Sequence, residues 1–109
     1  MLRSSLPFAK TLAAALPLAL SLPVVAQDST ALRTSALAAT CASCHGTAGR
    51  AVNGASVPGL AGLPASYVVE QMKAFKVGTR PATVMHQLAK GYSDAQIDQI
   101  AAYFAVQKE

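Results

Sequence analysis

Two thiols and an imidazole are concentrated in Cys41-Ala42-Ser43-Cys44-His45. On a helical turn that advances about 100° per residue, positions i, i+3 and i+4 share one face, so all three groups point toward one flat ligand. C-x-x-C-H is the pattern through which a c-type haem is attached covalently. Cys41 and Cys44 would form thioethers with the haem vinyl groups, and His45 would bind the iron from the proximal side. In such a chain the protein supplies anchorage and tuning while the cofactor supplies redox chemistry.

Other chemistries use the same two cysteines. A redox dithiol of the thioredoxin kind wants a preceding strand and a βαβ setting, which the helical pattern of this chain lacks. A structural zinc needs four ligands, and beyond Cys41, Cys44 and His45 only His86 remains. A plain disulfide gives no reason for the adjacent histidine.

The opposite side of the iron decides the function, because a Met or His there makes an electron carrier and an open position permits binding or catalysis. The candidates are Met72, Met85 and His86. Met72 shares the apolar face of a helix with Val68 and Phe75 and is expected in the core. Met85 sits in a short segment between two helices, where a thioether is offered from a loop, and is the expected distal ligand. His86 is expected to be exposed and to point elsewhere.

These groups need a helical frame. Asp28-Ser29-Thr30 offers N-caps for a helix over 31–39, whose Leu32, Ala36 and Ala39 recur at helical spacing and which runs into the cysteine motif. From Gly46 to Pro64 the chain is rich in Gly, Pro, Asn and Ser and reads as loop. Pro64 suits the first turn of a second helix, in which Tyr67, Val68, Gln71, Met72 and Phe75 form one face until Gly78 stops it. A segment that is part helix and part loop follows over 82–90. Ser93-Asp94-Ala95-Gln96 has the spacing of a capping box, and Ile97, Ile100, Ala101 and Phe104 form the inward stripe of a last helix.

The N-terminus reads as a secretory signal peptide over 1–26: Arg3 and Lys10 precede an apolar run over 11–25, with small residues before a cleavage that leaves Gln27 first. The run is shorter than a bilayer needs and is interrupted by Pro17 and Pro23, so no stable membrane insertion is expected after cleavage. Export to a bacterial periplasm follows. The remaining domain, 27–109, carries seven Lys and Arg against five Asp and Glu, a balance of +2 that two haem propionates would roughly cancel. With no aromatic-interleaved basic patch, nucleic acid is not an expected partner. A domain this small often needs a cofactor or cross-link to support its core, and a covalent haem is such a support.

The order of these features resembles the class I cytochromes c: N-terminal helix, CASCHG, Gly/Pro loop, central helix, Met, and C-terminal helix. The likeness spans essentially 27–109, and within the family it is nearest to the haem subunits of flavocytochrome c sulfide dehydrogenases through VPGLAGLPASYVVEQMKAFKVGTRPATVMHQLAKGYSDAQIDQIAAYF. RPATVMHQLAKGYSD is the sharper part. The resemblance implies an all-α fold of three to five helices wrapped around one haem c (heme c) held by Cys41 and Cys44. It implies that Met85 is the distal ligand, that the Pro58 carbonyl accepts the proximal imidazole N–H, and that Tyr67 and Arg80 approach the propionates. Tyr67, Met72, Phe75, Ile97 and Phe104 are then expected to bury the porphyrin, and Lys73, Lys76, Arg80 and Lys90 to ring its edge. The flavocytochrome subunits often carry two haem domains, whereas this chain has one C-x-x-C-H.

The expected function is single-electron transfer in the periplasm, not catalysis by this chain itself. The expected partner is a flavoprotein that oxidises sulfide; the alternative is a free-standing soluble carrier between a respiratory complex and a terminal oxidase or reductase. A third possibility, an enzyme or gas-sensing haem, requires Met85 to be absent from the iron.

Overall fold

The computed structural model describes residues 28–109; the expected signal peptide, 1–26, lies outside the described residues. Within them the fold is all helical. Five α-helices run in order: α1 (Ser29–Ala39), α2 (Ala42–His45), α3 (Ala65–Val77), α4 (Met85–Leu88) and α5 (Asp94–Ala105), with 3-10 turns at Thr47–Gly49 and Ala89–Gly91. No helix among the described residues is long and apolar enough to cross a membrane.

Local chemistry sets the helix ends. The Asp28 carboxylate accepts from the Thr30 amide at 2.9 Å and caps α1, satisfying one of the amides that a helix start leaves unpaired. Ser93 and Gln96 form the full capping box of α5: the Gln96 amide donates to Ser93 Oγ at 3.2 Å, and the Ser93 amide donates to Gln96 Oε1 at 2.8 Å. Pro64 stands at the N-cap of α3, one position before its first turn. Gly78 closes that helix in the left-handed conformation at φ 84°, where a Cβ would be strained.

Helix α5 is the central element, packed on one side by α1 and on another by α3, while α4 lies against α3. Two apolar clusters meet on it. Val68, Met72, Ala89, Ile97 and Ala101 form one; Ala38, Ile100 and Phe104 form the other, with the Tyr103 and Phe104 rings edge to face at 5.2 Å. All four residues of the expected α5 stripe are buried.

Helix α1 is turned differently from expectation. Leu32 is 52% exposed, Ala36 and Ala39 are exposed, and the helix buries Ala38 with Leu37 beside it. The two leucines of this helix, Leu32 and Leu37, are five residues apart and so point about 140° away from each other, and they do not by themselves select one face. Contact with Ile100 and Phe104 selects it, and a small residue such as Ala38 lets the two helices approach closely.

The Gly/Pro loop is pinned to this frame. Leu60 and Ala61 amides both donate to the Gly49 carbonyl, at 2.8 and 3.1 Å, and the Gly62 amide donates to the Phe104 carbonyl at 2.9 Å. Arg50 Nε reaches the Lys108 carbonyl at 2.7 Å. Gly49 is buried at φ +77°, and a Cβ there would stand 2.8 Å from Phe104 Cδ1 and from the Ala61 amide nitrogen.

Candidate functional site

The Cys-x-x-Cys-His segment is helical. The Cys44 and His45 amides both donate to the Cys41 carbonyl, at 3.3 and 3.0 Å, which places the second thiol and the imidazole one turn on from the first thiol. Gly46 ends the turn at φ 86°, where a Cβ would collide with the carbonyl of Arg50. A glycine is therefore required after His45 for the chain to fold back into the loop.

His45 is buried, and its Nδ1 lies 2.6 Å from the Pro58 carbonyl oxygen. A carbonyl can only accept, so the Nδ1–H donates and the tautomer is fixed. Nε2 then carries the free lone pair, the arrangement usual in metal-ligating histidines. The loop thus orients a ring that the helix supplies.

The two thiols are both free and differ in setting: Cys41 is half-buried and Cys44 exposed. Burial pushes the Cys41 thiol up, and the neighbouring Thr40 hydroxyl oxygen lies 3.9 Å from the sulfur. Two unpaired thiols and a pre-oriented imidazole on one turn fit the donor set of a covalently attached haem. Among the described residues no three His, Cys, Asp or Glu side chains gather to hold a metal ion.

Met85 is the first residue of α4 and not part of a loop. It is half-buried against the Val68 and Met72 cluster, so a short helix packed on α3 sets the reach of its thioether. Met72, 7% exposed, lies inside that cluster as expected of a core methionine. His86 departs from expectation: it is half-buried, and its Nδ1 is enclosed without a hydrogen-bond partner.

The side chains expected to bury the porphyrin divide in two. Ile97 and Phe104, at 0% and 1% exposure, are covered by protein on all sides and belong to the helix–helix core. Tyr67, 45% exposed, is open to the surface. The expected basic ring divides as well. Lys76 donates to the Tyr92 carbonyl at 2.7 Å and to Asp94 at 3.1 Å, and Arg80 stacks 4.6 Å over the Phe75 ring while donating to Gln71. Both cations serve α3 and its neighbours, and Lys73 and Lys90 stay exposed.

Sequence reasoning missed a polar link beside the cysteine motif: Tyr92 Oη and Thr40 Oγ1 are 2.7 Å apart. One signal was available. Tyr92 directly precedes the N-cap Ser93 and Ile97 is the fourth residue after it, the positions of a hydrophobic staple. That pattern predicts where the ring packs, not what its hydroxyl meets.

A family model described as Cytochrome c matches residues 32–106. A thiosulfate dehydrogenase electron acceptor of Thiomonas intermedia (strain K12) is 41% identical over 68 residues, 62% of this chain and 31% of that one. The cytochrome subunit of sulfide dehydrogenase of Chlorobaculum tepidum is 40% identical over 68 residues, 62% of this chain and 60% of that subunit. Cytochrome c-554(548) of Halomonas halodenitrificans is 39% identical over 72 residues, 63% of this chain and 86% of that protein. The chain therefore spans less than two thirds of the length of the first two and most of the third.

Proposed function

Because the chain belongs to the cytochrome c family, we propose that it transfers single electrons through one haem c that Cys41 and Cys44 would hold covalently and whose iron His45 and Met85 would bind. The family implies the cofactor; the observation that carries the proximal assignment, His45, is the 2.6 Å bond between its Nδ1 and the Pro58 carbonyl. When bound, the group supplies a reversible one-electron couple, raised in potential by methionine ligation. The chain's own residues do the rest. Pro58 holds the imidazole in one tautomer, α4 carries the Met85 thioether, and the two thiols would anchor the group covalently. With His45 and Met85 both engaged by the iron, the group would carry electrons without an open ligand position.

The relatives named as thiosulfate dehydrogenase acceptor and sulfide dehydrogenase subunit support a donor that oxidises a reduced sulfur compound. The reading is a periplasmic cytochrome subunit that accepts electrons from a flavoprotein oxidising sulfide, as in flavocytochrome c sulfide dehydrogenase. Lys73 and Lys90, both exposed, would steer an acidic partner. The likeness to cytochrome c-554(548), most of whose length is matched, favours a second reading as a free-standing carrier.

Copurification separates the two. Recovery with a flavin-containing partner, and reduction by sulfide in its presence, supports the subunit reading. Isolation as a lone haem protein, reduced by a quinol-oxidising complex and indifferent to sulfide plus flavoprotein, supports the carrier.

A further inference from the structure

Tyr92 is packed against both apolar clusters of the fold, the one around Met72 and the one around Phe104. Its hydroxyl has a defined direction. Thr40 Oγ1 lies 2.7 Å from the Leu37 carbonyl oxygen, which can only accept, so the single threonine proton is used there. Tyr92 must then donate to Thr40 across the 2.7 Å between them. Thr40 is the residue before Cys41.

The other end of Tyr92 belongs to the segment that carries Met85. It closes the 3-10 turn Ala89–Gly91, which continues directly from α4, and its amide donates to the Ala89 carbonyl at 3.3 Å. Its own carbonyl accepts from Lys76 Nζ at 2.7 Å. One residue therefore joins the end of α1, the side chain of α3 and the stretch running from Met85 into α5.

We propose that Tyr92 is a positioning residue whose hydroxyl clasps the Met85 segment to the Cys41 side of the site, so that the Met85 thioether leaves the iron less readily. This rests on the His45/Met85 ligation proposed above. The clasp joins the attachment motif to the distal half through one hydrogen bond, and the Lys76 contact and the ring packing stay in place when that bond is removed.

The test uses the ferric holoprotein and imidazole, which competes with a methionine thioether for the iron. Imidazole affinity is measured by titration, following the long-wavelength absorption band of methionine–iron ligation. Tyr92→Phe keeps the ring and loses the bond, and should bind imidazole about fivefold more tightly, the effect of one net hydrogen bond. Thr40→Val removes the partner from the other side and should do the same, and the double variant should add nothing further. Tyr103→Phe, which alters a tyrosine of the same core away from Met85, should leave the affinity at the wild-type value.

Wild-type affinity in Tyr92→Phe, an equal change in Tyr103→Phe, or full additivity in the double variant overturns the clasp. A change in thermal stability without a change in imidazole affinity also overturns it, because that is what a merely structural role produces. A wild-type holoprotein without the methionine–iron band refutes the ligation and the clasp with it. That failure shows in the wild type before any variant is made.

Discussion

His45 Nδ1 and the Pro58 carbonyl oxygen, thirteen residues apart in the chain, are 2.6 Å apart in space. The acceptor is backbone, so the contact depends on loop conformation and not on the proline side chain. The loop is held by the Gly49 carbonyl, which accepts from both Leu60 and Ala61. Replacing Pro58 by Ala should therefore keep the haem and the hydrogen bond. Its cost should be about 0.4–1 kcal/mol of unfolding free energy, from the added freedom of the unfolded chain. Denaturant titration monitored at the haem absorption checks this; loss of haem would place the orienting force in the ring.

Met85 and Met72 should separate cleanly. Met85→Ala should abolish the long-wavelength methionine–iron band and let carbon monoxide bind the reduced protein rapidly, with the helical spectrum retained. Met72→Ala should keep the band and cost about 2–5 kcal/mol of stability, the usual range for truncating a buried methionine. The reverse pattern would exchange the two roles.

The thiols give a chemical prediction. Cys41→Ala and Cys44→Ala should each weaken covalent haem retention under denaturing electrophoresis, because each removes one of two thioether bonds. The double variant should retain none. Full retention in both single variants and in the double would refute covalent attachment through this motif.

Helix α5 depends on its start. Ser93→Ala removes the acceptor for the Gln96 amide and should cost about 1 kcal/mol, the typical value of an N-cap. Urea unfolding should show the loss as a lower midpoint with an unchanged slope.

Lys76, hydrogen bonded and close in charge, holds the Asp94 carboxyl below its ordinary value of 3.8. A depressed carboxylate contributes stability at pH values above the unfolded value and loses it as pH falls through the lower folded value. The stability difference between wild type and Asp94→Asn should therefore be constant near neutrality and shrink through the acid range below 3.8. Because Asp94 is exposed, added salt should shrink it as well. A difference that persisted at low pH would assign the effect to something other than charge.

The helices were legible where side chains differ strongly. The stripe of α5, the stop at Gly78 and the capping box at Ser93 all read directly from residue type and spacing. The face of α1 did not, since Leu32 is the outward residue and Ala38 the inward one. The state of His86 did not either, because enclosure of one ring nitrogen depends on elements brought together from elsewhere in the chain. Lys76 and Arg80 are expected at the haem edge, and no local pattern marks the partners they meet in the structure, Tyr92, Asp94, Phe75 and Gln71.

The sequence by itself determined the helical frame and the placing of two thiols and an imidazole on one turn, because helix geometry relates neighbours within four residues by fixed angles. The family resemblance implies the Pro58 carbonyl opposite His45, and the structure places the two atoms 2.6 Å apart; only the tertiary structure decided that Met85 begins a helix packed on α3 and that Tyr92 reaches Thr40. Those contacts join residues distant in the chain. Their geometry comes from how α1, α3 and α4 dock on α5, which no local spacing encodes.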